Sequence, residues 1–454
     1  MKKELSYYDV FPKVIPVGKQ ATITVCPLGA HAAFEQGREY DLRVIGLDEG
    51  DPRNYPDRNN ERTFSVIPDK DGCLRVTLSF ACEQEYFIRL YNGEGKKTLQ
   101  LSVYAVENDL AGRYPFLGDL HMHTCRSDGK ESPAVVAANY RRMGYDFTVI
   151  SDHQRYYPSL EAIDAYKDVK IDFNIVPGEE IHLPANDVHI VNFGSEYSVN
   201  GLVEYTAQIE ERGKDKKYRS INEAACPETI TQDEYERQVK ELAEKLRIPD
   251  GIEKFSYAAC VWIFNHIKNG NGLGIFCHPY WISNVYQVPV SFTEYMLEQK
   301  PFDAFEVFGG ESYYQQNGFQ GLAYYDMRIK GCDFPVVGSS DSHGSVNNPN
   351  ACVAKTIVFS AENERTKLIT SIKENYSVAL DYMSKEYRLA GDFRLARYAA
   401  FLLDNYFELH DELCYEEGRL MKEYCTLATE ESRKGLEAVY GRTDAMRKKY
   451  FAFD

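Results

Sequence analysis

Residues 116–129 read FLGDLHMHTCRSDG, an apolar strand that runs into two histidines one residue apart and then into an Asp-Gly turn. Side chains alternate along a strand, so His121 and His123 fall on one side and Met122 on the other. An H-x-H pair alone is weak, because a strand-end histidine is commonly satisfied by a backbone carbonyl. The segments downstream give the stretch its weight. In SPAVVAANYRRMG, Ser132 is placed to cap a helix, Pro133 suits its first turn and Gly144 its end. DFTVISDH comes next as a buried strand, and the rhythm continues through FNIVPGEEI, DVHIVNFG, LGIFCHP, DAFEVFG and FPVVGSSDSH. Repeated strand and helix units predict a parallel sheet closed, or nearly closed, as a barrel.

Upstream, residues 1–110 hold short alternating segments such as QATITVCPL, EYDLRVIGL, CLRVTLSFA and EYFIRLYN, divided by DEGDP, PDKDG and NGEG. They predict a small all-β, sandwich-like accessory module without a catalytic cluster. The barrel is expected over 111–383. A polar, charge-rich insertion near 196–252 interrupts it, as a lid or a solvated decoration. Residues 384–454 read as a helical C-terminal segment.

The chain of 454 residues carries 52 Lys+Arg against 69 Asp+Glu, a net charge of −17. Such a surface repels long duplex nucleic acid and leaves room for a small anionic substrate drawn by a local field. No run approaches the roughly 20 apolar residues of a membrane span, so no membrane partner is expected. The 11 cysteines include no CxxC pair and mostly sit in apolar runs. Disulfides and zinc ribbons are therefore not expected, and a reducing cytoplasm fits best.

Only ten histidines are present, yet His121, His123, His153, His189, His278 and His343 all fall at predicted strand ends of the middle region. Asp128, Asp152 and Asp341 accompany them. Strand ends on one barrel face converge, and mixed imidazole and carboxylate donors suit Zn²⁺, Mn²⁺ or Fe²⁺ better than Ca²⁺ or Mg²⁺. Arg126 and Arg155 adjoin these motifs, where a guanidinium either clamps an oxyanion or pairs with an acidic neighbour.

The ordered set HMH, SDG, SDH, GEE followed by DVHIVNFG, CHP and SDSH resembles the PHP (polymerase and histidinol phosphatase) superfamily of metal-dependent phosphoesterases over roughly residues 113–380. The resemblance implies a distorted (β/α)₇ barrel with two to three divalent transition-metal ions. It implies one ion held by His121, His123, Glu180 and Asp341, a second by Glu180, His189 and His278, and a third by Asp128, His153 and His343. Glu180 is preferred to Glu179 on the family's G-x-E spacing from Gly178. The implied activity is phosphoester hydrolysis by a metal-bridging hydroxide; the charge balance makes a small phosphomonoester or short nucleotide the expected substrate, and the positions of Arg126 and Arg155 beside the motifs make them the expected substrate contacts. A weaker resemblance, to a carbaryl-hydrolase-like branch, implies carbamate, amide or ester hydrolysis as the alternative. A non-catalytic metal-binding scaffold is the third reading.

Overall fold

The computed structural model describes residues 3–50, 52–53, 61–92, 95–209, 217–220, 226–310, 314–346, 353–383 and 386–453. Two compact units are each assembled from separate stretches of chain: 1–114 with 397–413 and 441–454, and 115–396 with 414–440. The C-terminal helices are thus shared between the two units. No helix among the described residues is long and apolar enough to cross a membrane.

In the first unit, strands Tyr8–Phe11, Gln20–Pro27 and Leu74–Ser79 form a three-stranded antiparallel sheet. A five-stranded sheet runs in the order Val14–Pro16, Lys97–Val106, Gln84–Tyr91, Tyr40–Gly46, Arg62–Val66. Alternation places Leu74, Val76 and Leu78 inward from one sheet and Tyr86, Ile88 and Leu90 from the other, in one apolar core. Each such side chain contributes about 1.5–3 kcal/mol on burial. One expectation is corrected here: Cys26 and Cys73 form a disulfide. They adjoin the paired residues Val25 and Leu74 by one step in antiparallel register, a proximity hidden by their 47-residue separation. The cysteine argument for a reducing compartment falls with it.

The second unit is mixed α/β. One sheet has the order Asn174–Val176, Phe147–Val149, Tyr114–Asp119, Ala354–Ser360, Ser377–Asp381, Arg388–Gly391. The other runs Gly178–Ile181, Ile190–Phe193, Leu273–Phe276, Ala304–Phe308, Val336–Gly338. The distorted (β/α)₇ barrel is matched only in part: the hydrogen bonding describes two sheets, and Ile190–Phe193 is antiparallel to both of its neighbours. Single parallel bridges join the sheets at one end, Met122 to Ser342 and His153 to Glu180. There the His123 amide donates to the Ser342 carbonyl (2.9 Å) and the Asp341 amide to the His121 carbonyl (2.9 Å). The polar segments are pinned together at the same end as the donor residues.

Helix Pro133–Arg142 starts at Ser132 as expected, although the hydroxyl makes no capping bond. Its Arg141 is fully buried, with Nε donating to Glu417 (2.6 Å). Within the insertion, helix Gln232–Lys245 is capped by the Thr231 hydroxyl. Tyr235 and Val239 on it are fully buried, and Tyr235 meets Trp262 edge-on at 5.2 Å. This helix is docked, not a solvated decoration. The insertion's residues 210–216 and 221–225 lie outside the described residues.

Candidate metal centre

Seven segments deliver the expected donors to one place. His121 and His123 follow strand Tyr114–Asp119, His153 follows Phe147–Val149, and Glu180 lies in Gly178–Ile181. His189 precedes Ile190–Phe193, and because that strand runs the opposite way its start reaches the same end. His278 follows Leu273–Phe276, while Asp341 and His343 follow Val336–Gly338. The ninth, Asp128, arrives on a loop organised by Asp152, which accepts from the Thr124 amide and hydroxyl and from the Ser127 amide and hydroxyl at 2.5–3.0 Å. Gly129 closes that loop where a Cβ would sit 2.6 Å from the His123 carbonyl.

At the centre, Asp341 Oδ1 lies 2.8 Å from His123 Nε2 and 3.4 Å from His121 Nε2. Glu180 Oε2 lies 3.6 Å from each of those nitrogens. A divalent ion with bonds of about 2.0–2.2 Å spaces its donors by about 3.3–3.6 Å in a tetrahedral shell and about 2.8–3.1 Å in an octahedral one. The four imidazole–carboxylate separations therefore match the donor spacing of a coordination shell. Beside them, Glu180 Oε1 is 2.7 Å from His189 Nδ1 and 3.6 Å from His278 Nε2. Toward solvent, Asp128 Oδ2 is 3.5 Å from His153 Nε2 and 3.3 Å from His343 Nε2.

His121 Nε2, His123 Nδ1, His189 Nδ1, His278 Nε2 and both Glu180 oxygens are buried without a hydrogen-bond partner. Among the described residues, Asp128, Glu180 and Asp341 form ion pairs only with histidines and none with Lys or Arg. Acids with no Lys or Arg partner, ringed by imidazole nitrogens and in two of three cases buried, fit a divalent metal. Burial alone would raise the carboxyl of Glu180, but His153, His189, His121 and His182 hold it well below the usual range. Asp341 is likewise lowered against burial, chiefly by His121 and His123. Burial, aided by His153 and His343, drops His123 to about 4, which leaves it a neutral donor. Three non-glycine residues adopt left-handed backbone here, Gln154 (φ 59°), His278 (φ 26°) and Asp341 (φ 50°). Such strain gathers at functional sites.

Other placements separate from the centre. Glu179 points away, accepting from Ser198 Oγ (2.7 Å), the Val199 amide (2.6 Å), Asn200 Nδ2 (3.0 Å) and Asn192 Nδ2 (3.2 Å). Arg126 donates from Nε and Nη2 to Glu161, at 2.8 and 2.9 Å, the acidic-neighbour pairing of the two roles open to it. Arg155 is buried, with Nη1 donating to Tyr157 Oη at 2.9 Å. Sequence reasoning missed Glu306 and Gln287. The fully buried Glu306 places Oε2 3.1 Å from His121 Nδ1, and Gln287 Oε1 lies 3.0 Å from His278 Nδ1. These contacts fix each ring so that Nε2 faces the carboxylates. Glu306 had a signal, a lone acid inside the apolar AFEVF; Gln287 had none.

No family model and no curated protein matches the chain. Among solved structures, it is similar to a two-domain protein from Bacteroides vulgatus containing a predicted PHP-like metal-dependent phosphoesterase, at 16% identity over 65% of this chain and 71% of that one, with a TM-score of 0.42. It is also similar to an amidohydrolase from Chromobacterium violaceum with bound sulfate and no metal, at 15% identity over 50% of this chain and 87% of that one, with a TM-score of 0.29.

Proposed function

We propose that this protein is a metal-dependent hydrolase, and more narrowly a phosphoesterase for a small phosphomonoester or short nucleotide. The observation that carries the reading is the quartet of His121, His123, Glu180 and Asp341, in which each imidazole Nε2 stands 2.8–3.6 Å from a carboxylate oxygen of both acids and neither acid has a Lys or Arg partner. Two to three divalent ions at these positions would supply Lewis acidity toward an anionic oxygen and would acidify water.

This chain's residues provide the rest. Glu180 spans the centre, with Oε2 toward His121 and His123 and Oε1 toward His189 and His278. Asp128, His153 and His343 are half-buried and form the mouth that meets solvent. Three ions would bring about +6 against −3 from Asp128, Glu180 and Asp341, and even with Glu306 counted as a fourth anion the excess is about +2. That field favours an anionic substrate, while the chain's net −17 discourages a long polyanion.

Phosphate monoesters and short nucleotides, assayed beside matched aryl carbamates, amides and carboxyl esters under one metal loading, test the reading. Higher kcat/KM for the phosphate esters, with competitive inhibition by inorganic phosphate, is expected. Carbamate or amide turnover without phosphoesterase activity would replace the substrate class. Metal binding without turnover of any member would favour a scaffold.

A further inference from the structure

His182 follows Glu180 by two residues, so strand alternation puts both on one face, the logic that pairs His121 with His123. Its backbone is held on both sides: the amide donates to Asn200 Oδ1 (3.1 Å), and the carbonyl accepts from the Tyr205 hydroxyl. The ring has little freedom to wander. Its Nε2 makes a 2.9 Å hydrogen bond with His153 Nδ1 and lies 3.5 Å from Glu180 Oε2, and the ring centroid is 4.1 Å from that of His189.

The opposite nitrogen of His153, Nε2, faces Asp128 at 3.5 Å. A neutral imidazole that offers its Nε2 lone pair carries its proton on Nδ1 and must donate it to an acceptor. Three other histidines of the centre have such a partner at Nδ1: Glu306 for His121, Gln287 for His278, and the Asp341 carbonyl for His343. Two acceptors adjoin His153 Nδ1. Glu180 Oε2, at 2.5 Å, is in ion-pair contact with it but also faces His121 and His123, on the side of the expected ion. His182 Nε2 has hydrogen-bond geometry.

We infer that His182 is a positioning residue, which accepts the His153 Nδ1 proton and thereby builds the ion position formed by Asp128, His153 and His343. The inference rests on the metal-dependent reading above. It assigns an outer partner to His153, whose Nδ1 meets neither a backbone carbonyl nor a carboxamide. His182 in turn contacts ligands expected at two ion positions, His153 on one side and Glu180 with His189 on the other.

The test uses full-length protein stripped by chelator and titrated with Mn²⁺, with stoichiometry by elemental analysis, affinity by calorimetry, and folding by circular dichroism. Wild type, His182→Ala, His182→Asn and His182→Gln are compared. A glutamine oxygen reaches the place of the imidazole Nε2, whereas asparagine falls short. His182→Ala and His182→Asn should lose one equivalent or weaken the weakest site by about 10–100-fold, with the tightest site unchanged, and His182→Gln should restore it to within about threefold. Should the alanine variant misfold, the asparagine and glutamine pair still decides. Unchanged binding in the short variants, or glutamine as poor as asparagine in folded protein, overturns the inference. Wild type that binds no ion sinks the hydrolase reading and this inference together; wild type that binds while every variant binds equally sinks this inference alone.

Discussion

In the β-rich unit, the buried Asp9 lies 3.7 Å from Lys13 Nζ and 2.6 Å from Lys449 Nζ, Asp41 lies 2.7 Å from Arg43, and Asp69 lies 2.5 Å from Arg75. In the site-bearing unit, Glu180 is more deeply buried than any of these and has only imidazoles within ion-pair distance among the described residues. An acid paired with a fixed cation is neutralised when the chain folds. One surrounded only by imidazoles has no permanently charged partner, and a metal ion can take the place of their protons. The contrast shows why buried carboxylates alone identify nothing, and why the identity of their partners separates structure from function.

The largest expected break comes from Glu180→Gln, which should cut hydrolysis by at least about 1000-fold, about 4 kcal/mol of barrier, by disturbing two ion positions at once. Glu179→Gln should instead act on folding. It disturbs a buried acceptor serving the 198–200 segment, at about 1.5–3 kcal/mol, with ion stoichiometry unchanged in the folded fraction. Elemental analysis beside thermal melts checks both, and the reverse ranking of activities would exchange the two assignments. In the other unit, the cross-link spans 47 residues, and the chain-entropy model sets its contribution at up to about 4 kcal/mol. Cys26→Ser should lower the denaturation midpoint of the whole chain and leave ion affinity within about threefold. A fall in affinity of the size expected for a lost outer-sphere partner would contradict the division of labour between the units.

Much of the centre was legible because its chemistry is written locally: H-x-H, SDG, SDH, CHP and SDSH each place donors at a strand end, while alternation lets only one of Glu179 and Glu180 face inward and the resemblance's G-x-E spacing prefers Glu180. What was not legible depends on register between distant strands. Period-2 patterning finds the strands but not the neighbours they choose, so two bridged sheets and a closed barrel read alike in sequence. The Cys26–Cys73 pairing is hidden for the same reason. Arg126 illustrates a different limit, since either role suits an arginine beside a motif until Glu161, 35 residues away, comes within 2.8 Å.

A smaller effect is expected at Glu306, which on the metal-dependent reading orients His121 rather than binding an ion. Removing its contact with His121 Nδ1 frees the ring, so Glu306→Ala should weaken the tightest site by about 10–100-fold, and Glu306→Gln, which keeps an acceptor, by less. Competition with a calibrated chelator measures this. Equal affinities for wild type and Glu306→Ala would remove Glu306 from the centre and return it to the class of structural acids seen in the other unit.

The smallest effect concerns the mouth, where the comparison between the two kinds of acid becomes dependent on pH. Burial works against a charged His343, but the Asp128 carboxylate 3.3 Å away, helped by the charge of Asp341, more than offsets it and raises the imidazole to about 9 in metal-free protein. There Asp128 has acquired a cation after all, a protonated histidine. A raised folded value means that this pair's contribution to stability is fully present below the unfolded value of about 6.5 and is lost as pH rises through about 9. Chelator-treated protein should therefore lose melting temperature across that window, and Asp128→Asn should flatten the loss; an equal slope in the variant would place its origin elsewhere. Ion binding has the opposite sign, because His343 must be neutral to act as a donor. Mn²⁺ should displace a proton below pH 9 and bind more tightly as pH rises toward that value. Calorimetry in buffers of different ionisation enthalpy counts the proton released, and a count that does not fall between about pH 7 and pH 9.5 would show that the proton on His343 is not the one the metal replaces.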